Sequence, residues 1–314
     1  MIQILGDLIA DISMRLHAFP VQAKDIHRLS YLEVGPGGAC NVAIMAARFG
    51  VPVGCLGEVG DDGFGLVVRE GLRREGVHLD GLVTTPDAKT PVAGVVVDRA
   101  GEPAYLGHPG SLAIHAFQSE WQAPIQQAEA LFADGWAEHA DVPAILLRAF
   151  TLARESGVPV FFDPGPGNPD VDPTWVQQAL ALSDVVMLNR SEGARLTHAW
   201  EDEAILRAIM ALGPATVLLK RGGQGLILAQ EEARHAVPGL EVNIRDATGA
   251  GDSLAGALLY GLSQEMPLAD LAVLANATGA AKVQKLGTGH NMPTLDEIAA
   301  VLTAAGHSPA SYLP

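Results

Sequence analysis

Asp246-Ala-Thr-Gly-Ala-Gly-Asp252-Ser-Leu-Ala-Gly-Ala-Leu-Leu259 sets two glycines and two carboxylates in a turn of small residues that runs straight into an apolar, helix-like stretch. The first turn of a helix carries backbone N–H groups with no intrahelical acceptor, and Gly249 and Gly251 would let a ligand press against them. Orphan donors and the positive end of the helix dipole together form an anion hole suited to phosphate. A carboxylate at the same place repels a resting phosphate, so Asp252 is better suited to taking the proton of an incoming hydroxyl. The plainer alternative is an acid favoured in a first helical turn by the dipole. After Thr-Gly-Ala-Gly, the chemical reading is preferred.

A second constellation is Gly37-Gly38-Ala-Cys-Asn41-Val-Ala43, with Gly50 and Gly60 further on and a helical stretch from Asn41 to Phe49. Two glycines before an Asn at a helix start allow a polar ligand to approach the main chain while the amide donates and accepts. The alternative is an Asn helix cap after a glycine turn. Asn189-Arg-Ser-Glu192 is open in the same way, because Ser191 could cap a helix whose first turn holds Glu192. The glycines of Lys220-Arg-Gly-Gly-Gln-Gly225 suggest a dinucleotide fingerprint, but Leu226-Ile-Leu-Ala229 after them reads as a strand, so the required strand, glycine turn and helix are missing. The ten histidines have no HxxxH or HExxH spacing, and neither a zinc site nor a histidine-based nucleophile is expected.

The elements that must carry these motifs alternate. Short apolar runs, Ile2–Leu5, Ala130–Ala133, Val158–Phe162, Val185–Leu188 and Thr216–Leu219, are separated by stretches of helical period. That pattern predicts repeated βαβ units and a mostly parallel sheet covered on both faces. Each run ends in a polar or glycine-bearing turn: Gly6-Asp7, Asp134-Gly135, Asp163-Pro-Gly165, Asn189 to Glu192, and Lys220 to Gly223. Ligands of open α/β sheets bind beyond the carboxyl ends of the strands, so the five turns mark one rim. Two segments, about Ile12–Val34 and Thr90–His108, break the pattern. The second reads as a hairpin of Val92–Val97 and Ala104–Leu106 around Asp98-Arg-Ala-Gly-Glu102, and both are expected to form a small lid outside the main sheet. Helices are expected over Glu203–Ala211, Ala250–Leu262, Leu268–Val283 and Leu295–Ala304. No linker composition divides the chain, so residues 1–314 are expected to form one domain.

Composition narrows the partners. With 314 residues and 48% apolar content the chain can bury a large core. Its 20 Lys+Arg against 36 Asp+Glu, a net charge of −16, exclude the basic surface that nucleic-acid or anionic-membrane binding requires. No apolar run approaches the roughly 18 residues of a membrane span. The N-terminal Met-Ile-Gln-Ile-Leu-Gly-Asp7 lacks the basic region of a signal peptide, so a cytoplasmic location is expected. Cys40 and Cys55, outside any CxxC or Cys/His cluster, read as buried apolar residues in a reducing compartment. Small molecules or a second copy of the chain remain as partners, the latter through exposed lid edges.

Together, the glycine–Asn41 segment and the Asp246–Asp252 turn resemble the two signatures of the ribokinase-like, or PfkB, carbohydrate kinases. The second matches except at Ala247, where that family usually has Thr, Ser, Pro or Val. Gly6-Asp-Leu-Ile-Ala-Asp11, the lid hairpin, Asn189-x-x-Glu192 and Lys220–Gly225 also follow in the family's order, so the resemblance covers essentially the whole chain. It implies an α/β fold with a β lid and an ATP- and Mg2+-dependent phosphotransferase acting on a sugar hydroxyl. By that resemblance Asp11, Gly38 and Asn41 would bind substrate hydroxyls, Asp252 would be the base, and Gly249, Ala250 and Gly251 would hold the transferring phosphoryl group. Asn189 and Glu192 would organise Mg2+ and phosphates, usually through water; Lys220, Gly222 and Gly225 would border the nucleotide, with Asn276 beside the adenine. Asp246 and Thr248 would neighbour a monovalent cation, expected to be K+. A nucleoside kinase, with Phe19, Tyr31 and Tyr105 as base-stacking candidates, and a non-catalytic sugar- or nucleotide-binding regulator are the alternatives. Relatives acting on fructose or 2-keto-3-deoxygluconate often carry Asp-x-Asn-x-Arg where this chain has Asp163-Pro-Gly-Pro-Gly167, so the resemblance does not single out those acceptors; Asp134 and Glu138 are further specificity candidates.

Overall fold

The computed structural model describes residues 1–16, 21–111, 116–136, 141–167 and 171–314. In chain order, strands β1 (Ile2–Leu5), β2 (Leu8–Leu16) and β3 (Leu29–Gly38) precede helix α1 (Ala39–Arg48). Next come β4 (Val53–Gly60), α2 (Gly63–Arg74), β5 (His78–Thr85) and the hairpin β6 (Val92–Val97) and β7 (Pro103–His108). The alternation continues through α3 (Gln122–Gln126), β8 (Leu131–Asp134), α4 (Val142–Glu155), β9 (Val160–Asp163), α5 (Thr174–Ala181), β10 (Val185–Asn189), α6 (Arg190–Thr197), α7 (Asp202–Met210) and β11 (Thr216–Lys220). The hairpin β12 (Leu226–Gln230) and β13 (Ala233–Val237) leads to α8 (Ala250–Ser263), α9 (Leu268–Lys282) and α10 (Leu295–Ala304).

The main sheet has the order β13-β12-β11-β10-β9-β8-β1-β4-β5. From β11 to β5 every pairing is parallel; β12 and β13 add an antiparallel edge. Successive side chains of a strand point to opposite faces, and the core divides accordingly. Ile2, Ile4, Phe161, Val185, Met187 and Leu218 face the cluster that contains α1, α8 and α9. Leu5, Phe162, Val186, Leu188, Val217 and Leu219 face the cluster that contains α4, α5 and α7. Strands buried on both sides must be apolar at every position, which is why they read as continuous hydrophobic runs. Cys40 and Cys55 are unpaired and fully buried in the first cluster.

The five expected strands are present, but β4 and β5 lie outside the runs expected from sequence. β4 carries Gly54, Gly57 and Gly60, which look like turn residues until a second strand is seen to pack beside them. The second sheet, in the order β3-β2-β6-β7, draws strands from both segments expected outside the main sheet. It begins earlier, at Leu8, because Leu8 to Asp11 pair with Gly38 to Gly35, so the glycine motif is itself strand as well as helix start.

Candidate active site

The rim foreseen from the strand ends is real. Asp134 pairs in register with Asp163, and Asn189 with Lys220, so four strand ends stand side by side. Above them β2, β6 and β7 of the small sheet present Ile9, Asp11, Ala93, Tyr105 and Gly107, closing a cavity of about 480 Å³ over Asp252.

Two helix starts meet on its floor. Gly38, at φ +58°, is the residue before α1; a Cβ there would strike the carbonyl of Asp7, the same oxygen that accepts from Ala39 N at 3.0 Å. Gly249, at φ +75°, plays the same part before α8. With α8 beginning at Ala250, the amides of Gly251 and Asp252 have no intrahelical acceptor, so they are the donors that an anion hole there would use. Asp246 fixes the turn from behind: fully buried, it accepts from Thr248 N at 2.9 Å and from Gly287 N at 2.8 Å. Arg245 N donates to Val283 O at 2.7 Å and so fastens the same turn to the end of α9.

Asn41 links the two helices, its Nδ2 donating to Asp252 Oδ2 at 2.8 Å while its Oδ1 accepts from Gly289 N at 2.9 Å. Asp11, 4% exposed, accepts from Thr288 Oγ1 at 2.6 Å. Desolvation pushes the Asp11 carboxyl up to about 7, the Thr288 hydroxyl opposing it. Desolvation likewise raises Asp252 to about 6; the Asn41 amide pulls down, Asp163 pushes up and Lys220 pulls down. Burial drives Asp134 well above the ordinary carboxylate range, with Asp7 and Asp252 adding like charge. Lys220 Nζ donates to Asp163 Oδ2 at 2.6 Å, and a Cβ on Gly251 would stand 3.4 Å from that ammonium, which therefore overlooks the anion hole. Burial works against the Lys220 charge, but Asp163 and Glu192 outweigh it and raise its pKa.

Asn189, not Ser191, caps α6. Glu192 N donates to Asn189 Oδ1 at 2.9 Å and Asn189 N donates to Glu192 Oε2 at 2.6 Å, a reciprocal capping box. Both residues also line the cavity, so capping does not withdraw them from it. Burial raises the Glu192 carboxyl, Lys220 opposing.

A second cavity of about 260 Å³ lies beyond the turn, between the glycines after β11 and helix α9. Gly222 and Gly225 line it together with Asn276, whose Nδ2 donates to Pro238 O at 2.9 Å. Both cavities are bounded by Lys220, Ala247 and Gly251, so they meet at the anion hole.

Of the residues that the resemblance assigns to acceptor, phosphoryl group, nucleotide or cation, all but Asp246 thus line one of these two connected cavities. Sequence reasoning placed Asp7 on the rim without giving it a role, and passed over Trp136. Trp136 follows the Asp134-Gly135 turn already placed on the rim, sits edge-on to Tyr105 with ring centroids 6.1 Å apart, and is 46% exposed. Tyr31 does not line the cavity; its hydroxyl bonds to Glu33. Phe19 and Glu138 lie outside the described residues. The loop that lacks the relatives' arginine is met by one from elsewhere: Arg195 of α6 donates to Gly165 O at 2.8 Å.

Among characterised proteins, this chain is 30% identical to an ATP-dependent ribose-1-phosphate kinase from Halopiger xanaduensis over 293 residues, covering 93% of this chain and 95% of that one. It is 30% identical to a ribokinase of Mus musculus over 303 residues, covering 92% and 91%. The structure of an Arabidopsis thaliana ribokinase complexed with ribose and ATP superposes with a TM-score of 0.81 at 23% identity, over 96% of this chain and 98% of that one, which is a likeness of fold. The sequence model of the pfkB family carbohydrate kinases matches residues 1–295, and the chain belongs to that family.

Proposed function

We propose that this chain is an ATP-dependent kinase that transfers the γ-phosphoryl group of MgATP to a hydroxyl of an uncharged sugar or sugar-like acceptor. The observation that carries the reading is the junction of the two cavities at Lys220, Ala247 and Gly251, with Asp252 on the acceptor side. A nucleotide laid along Gly222, Gly225 and Asn276 would bring its terminal phosphate to the amides before α8. An acceptor beneath Asp11 and Asn41 would bring a hydroxyl to the Asp252 carboxylate.

In this reading Asp252 takes the hydroxyl proton as the oxygen attacks phosphorus. A carboxyl raised to about 6 is a stronger base than an ordinary aspartate and is still mostly ionised at neutral pH. Asn41 orients that carboxylate as well as facing the acceptor. The amides of Gly251 and Asp252, with the Lys220 ammonium, meet the charge on the transferring group, and positioning supplies much of the rate. Glu192 and Asn189 offer oxygen donors suited to a hard cation held through water, which fits Mg2+. When bound, Mg2+ would supply charge neutralisation at the phosphates. Closure of the small sheet over the acceptor would exclude competing water.

Charge selects the acceptor. Asp7, Asp11, Asp134, Asp163, Glu192 and Asp252 line the acceptor cavity, and Lys220 is the only Lys or Arg among the described residues that do. An anionic acceptor, a sugar phosphate or sugar acid, would enter against the charge of those that are ionised, Asp134 and in part Asp11 being held toward the neutral form by burial. A neutral polyol would instead find carboxylates as hydrogen-bond acceptors. The Tyr105–Trp136 edge favours a second reading within the same chemistry, a riboside whose base stacks at the cavity mouth. A screen of ADP release across neutral sugars, sugar phosphates, sugar acids and nucleosides tests both. Turnover confined to anionic acceptors would refute the charge argument, and no turnover with any would favour a binding protein.

Use of ATP supports a cytoplasmic location. Among the described residues no helix is long and apolar enough to cross a membrane. Pairing of two copies through the small sheet is supported by its outer face. Residues alternating with those that line the cavity, Leu32 at 61%, Val34 at 40% and Leu106 at 66% exposure, form an apolar surface there. Light scattering at micromolar concentration should give a dimeric mass, and a monomeric mass with full activity would remove the idea.

A further inference from the structure

Lys282, the last residue of α9, is 0% exposed. Its Nζ has no hydrogen-bond partner among the described residues. An uncompensated ammonium inside a protein is expensive, so its surroundings must explain it. It lines neither cavity; it lies behind the anion hole, where a Cβ on Gly249 would come within 3.3 Å of its Cε. The two loops beside it are tied together, Arg245 N to Val283 O at 2.7 Å and Gly287 N to Asp246 Oδ2 at 2.8 Å. Burial, with Lys285 nearby, disfavours the charge and lowers the pKa, against the pull of Asp246, Asp252 and Asp11.

This is the neighbourhood in which the family resemblance implies a monovalent cation, and the residues present do not suit one. Both oxygens of Asp246 already accept backbone amides, and an added K+ would share a closed space with an ammonium. We infer that Lys282 is a built-in replacement for that ion: its tethered ammonium supplies the positive charge behind the Gly249–Gly251 turn, and the enzyme works without K+. Lys282 is in this sense a positioning residue, acting on phosphate and on Asp252 through the turn it supports. The inference rests on the kinase reading for its kinetic arm but not for its binding arm.

The test compares wild type with Lys282→Met and Lys282→Gln in potassium, sodium and tetramethylammonium chloride at equal ionic strength. Wild-type kcat should agree within about twofold across the three salts. The variants should lose at least about tenfold in tetramethylammonium, as when a catalytic anion-hole donor is removed, and recover part of it in potassium. Thermal melting gives a second readout: potassium should raise the melting temperature of the variants over tetramethylammonium and leave that of wild type unchanged. Wild-type activation or stabilisation specific to potassium overturns the inference, as do variants that stay fully active and indifferent to the salt. If neither variant folds, the wild-type salt series alone decides. If no acceptor is turned over, melting and calorimetric ATP binding in the three salts still decide, separating failure of this inference from failure of the kinase reading.

Discussion

Asn41 and Asp252, 211 residues apart in sequence, meet as a 2.8 Å hydrogen bond between the first turns of α1 and α8. The amide holds the carboxylate in one orientation and stabilises its charged form, while its other end is fixed by Gly289 N. The two motifs that the sequence offers separately are therefore one device.

Asp252→Asn keeps size and polarity but cannot accept the acceptor's proton. The expected outcome is a kcat lowered by roughly 10²- to 10⁴-fold with little change in KM, in a protein that still folds. If Asp252 were only an acid favoured by the helix dipole, turnover would survive and stability would drop by about 0.3 to 1 kcal/mol. Turnover and melting temperature measured on the same preparation distinguish the two.

The pH profile follows from the same carboxylate. Base catalysis needs Asp252 ionised, so kcat/KM should fall as pH drops through about 6. Removing the Asn41 amide in Asn41→Leu takes away a group that lowers the Asp252 pKa, and the acid limb should move to higher pH. A limb that stays in place would mean that another group controls it.

Glu192→Gln separates capping from metal binding. Gln satisfies a capping box as Glu does, so the melting temperature should barely change. Loss of the carboxylate should raise the Mg2+ concentration for half-maximal rate, by about tenfold or more. A lowered melting temperature with an unaltered Mg2+ requirement would assign Glu192 to structure alone.

Asp11 gives a stability test with a definite sign. Its folded pKa, about 7, lies above the unfolded value near 3.9, so the folded state binds the proton more tightly. The stability this confers is complete below the unfolded pKa and is lost as pH rises through about 7. Asp11→Asn removes a buried carboxylate that is charged at high pH. The melting temperature of the variant relative to wild type should therefore be higher at pH 8 than at pH 5, while substrate KM rises. A difference independent of pH would contradict the raised pKa.

Much of this protein was legible in its sequence because the physics involved is local. Apolar runs and helical periods announce a doubly covered parallel sheet, and small residues before an apolar helix announce an anion hole, since a helix start exposes its amides wherever it occurs. Asp252, Asn41 and the strand-end turns could be chosen on that basis. Other features depend on neighbours remote in sequence. β4 is a strand despite three glycines because β1 and β5 flank it. Asn189 and Glu192 prove to be both helix cap and cavity wall, a choice that local sequence leaves open. The aromatic edge of Tyr105 and Trp136 exists only where β7 folds over the end of β8. Lys282 is the plainest case: in sequence it is a lysine near a helix end, where cations are common, and only the packing of α9 against the Asp246 turn buries it. Burial and long-range charge are properties of the assembled chain, so tertiary structure alone decided which groups are desolvated, which are paired and which stand without a partner.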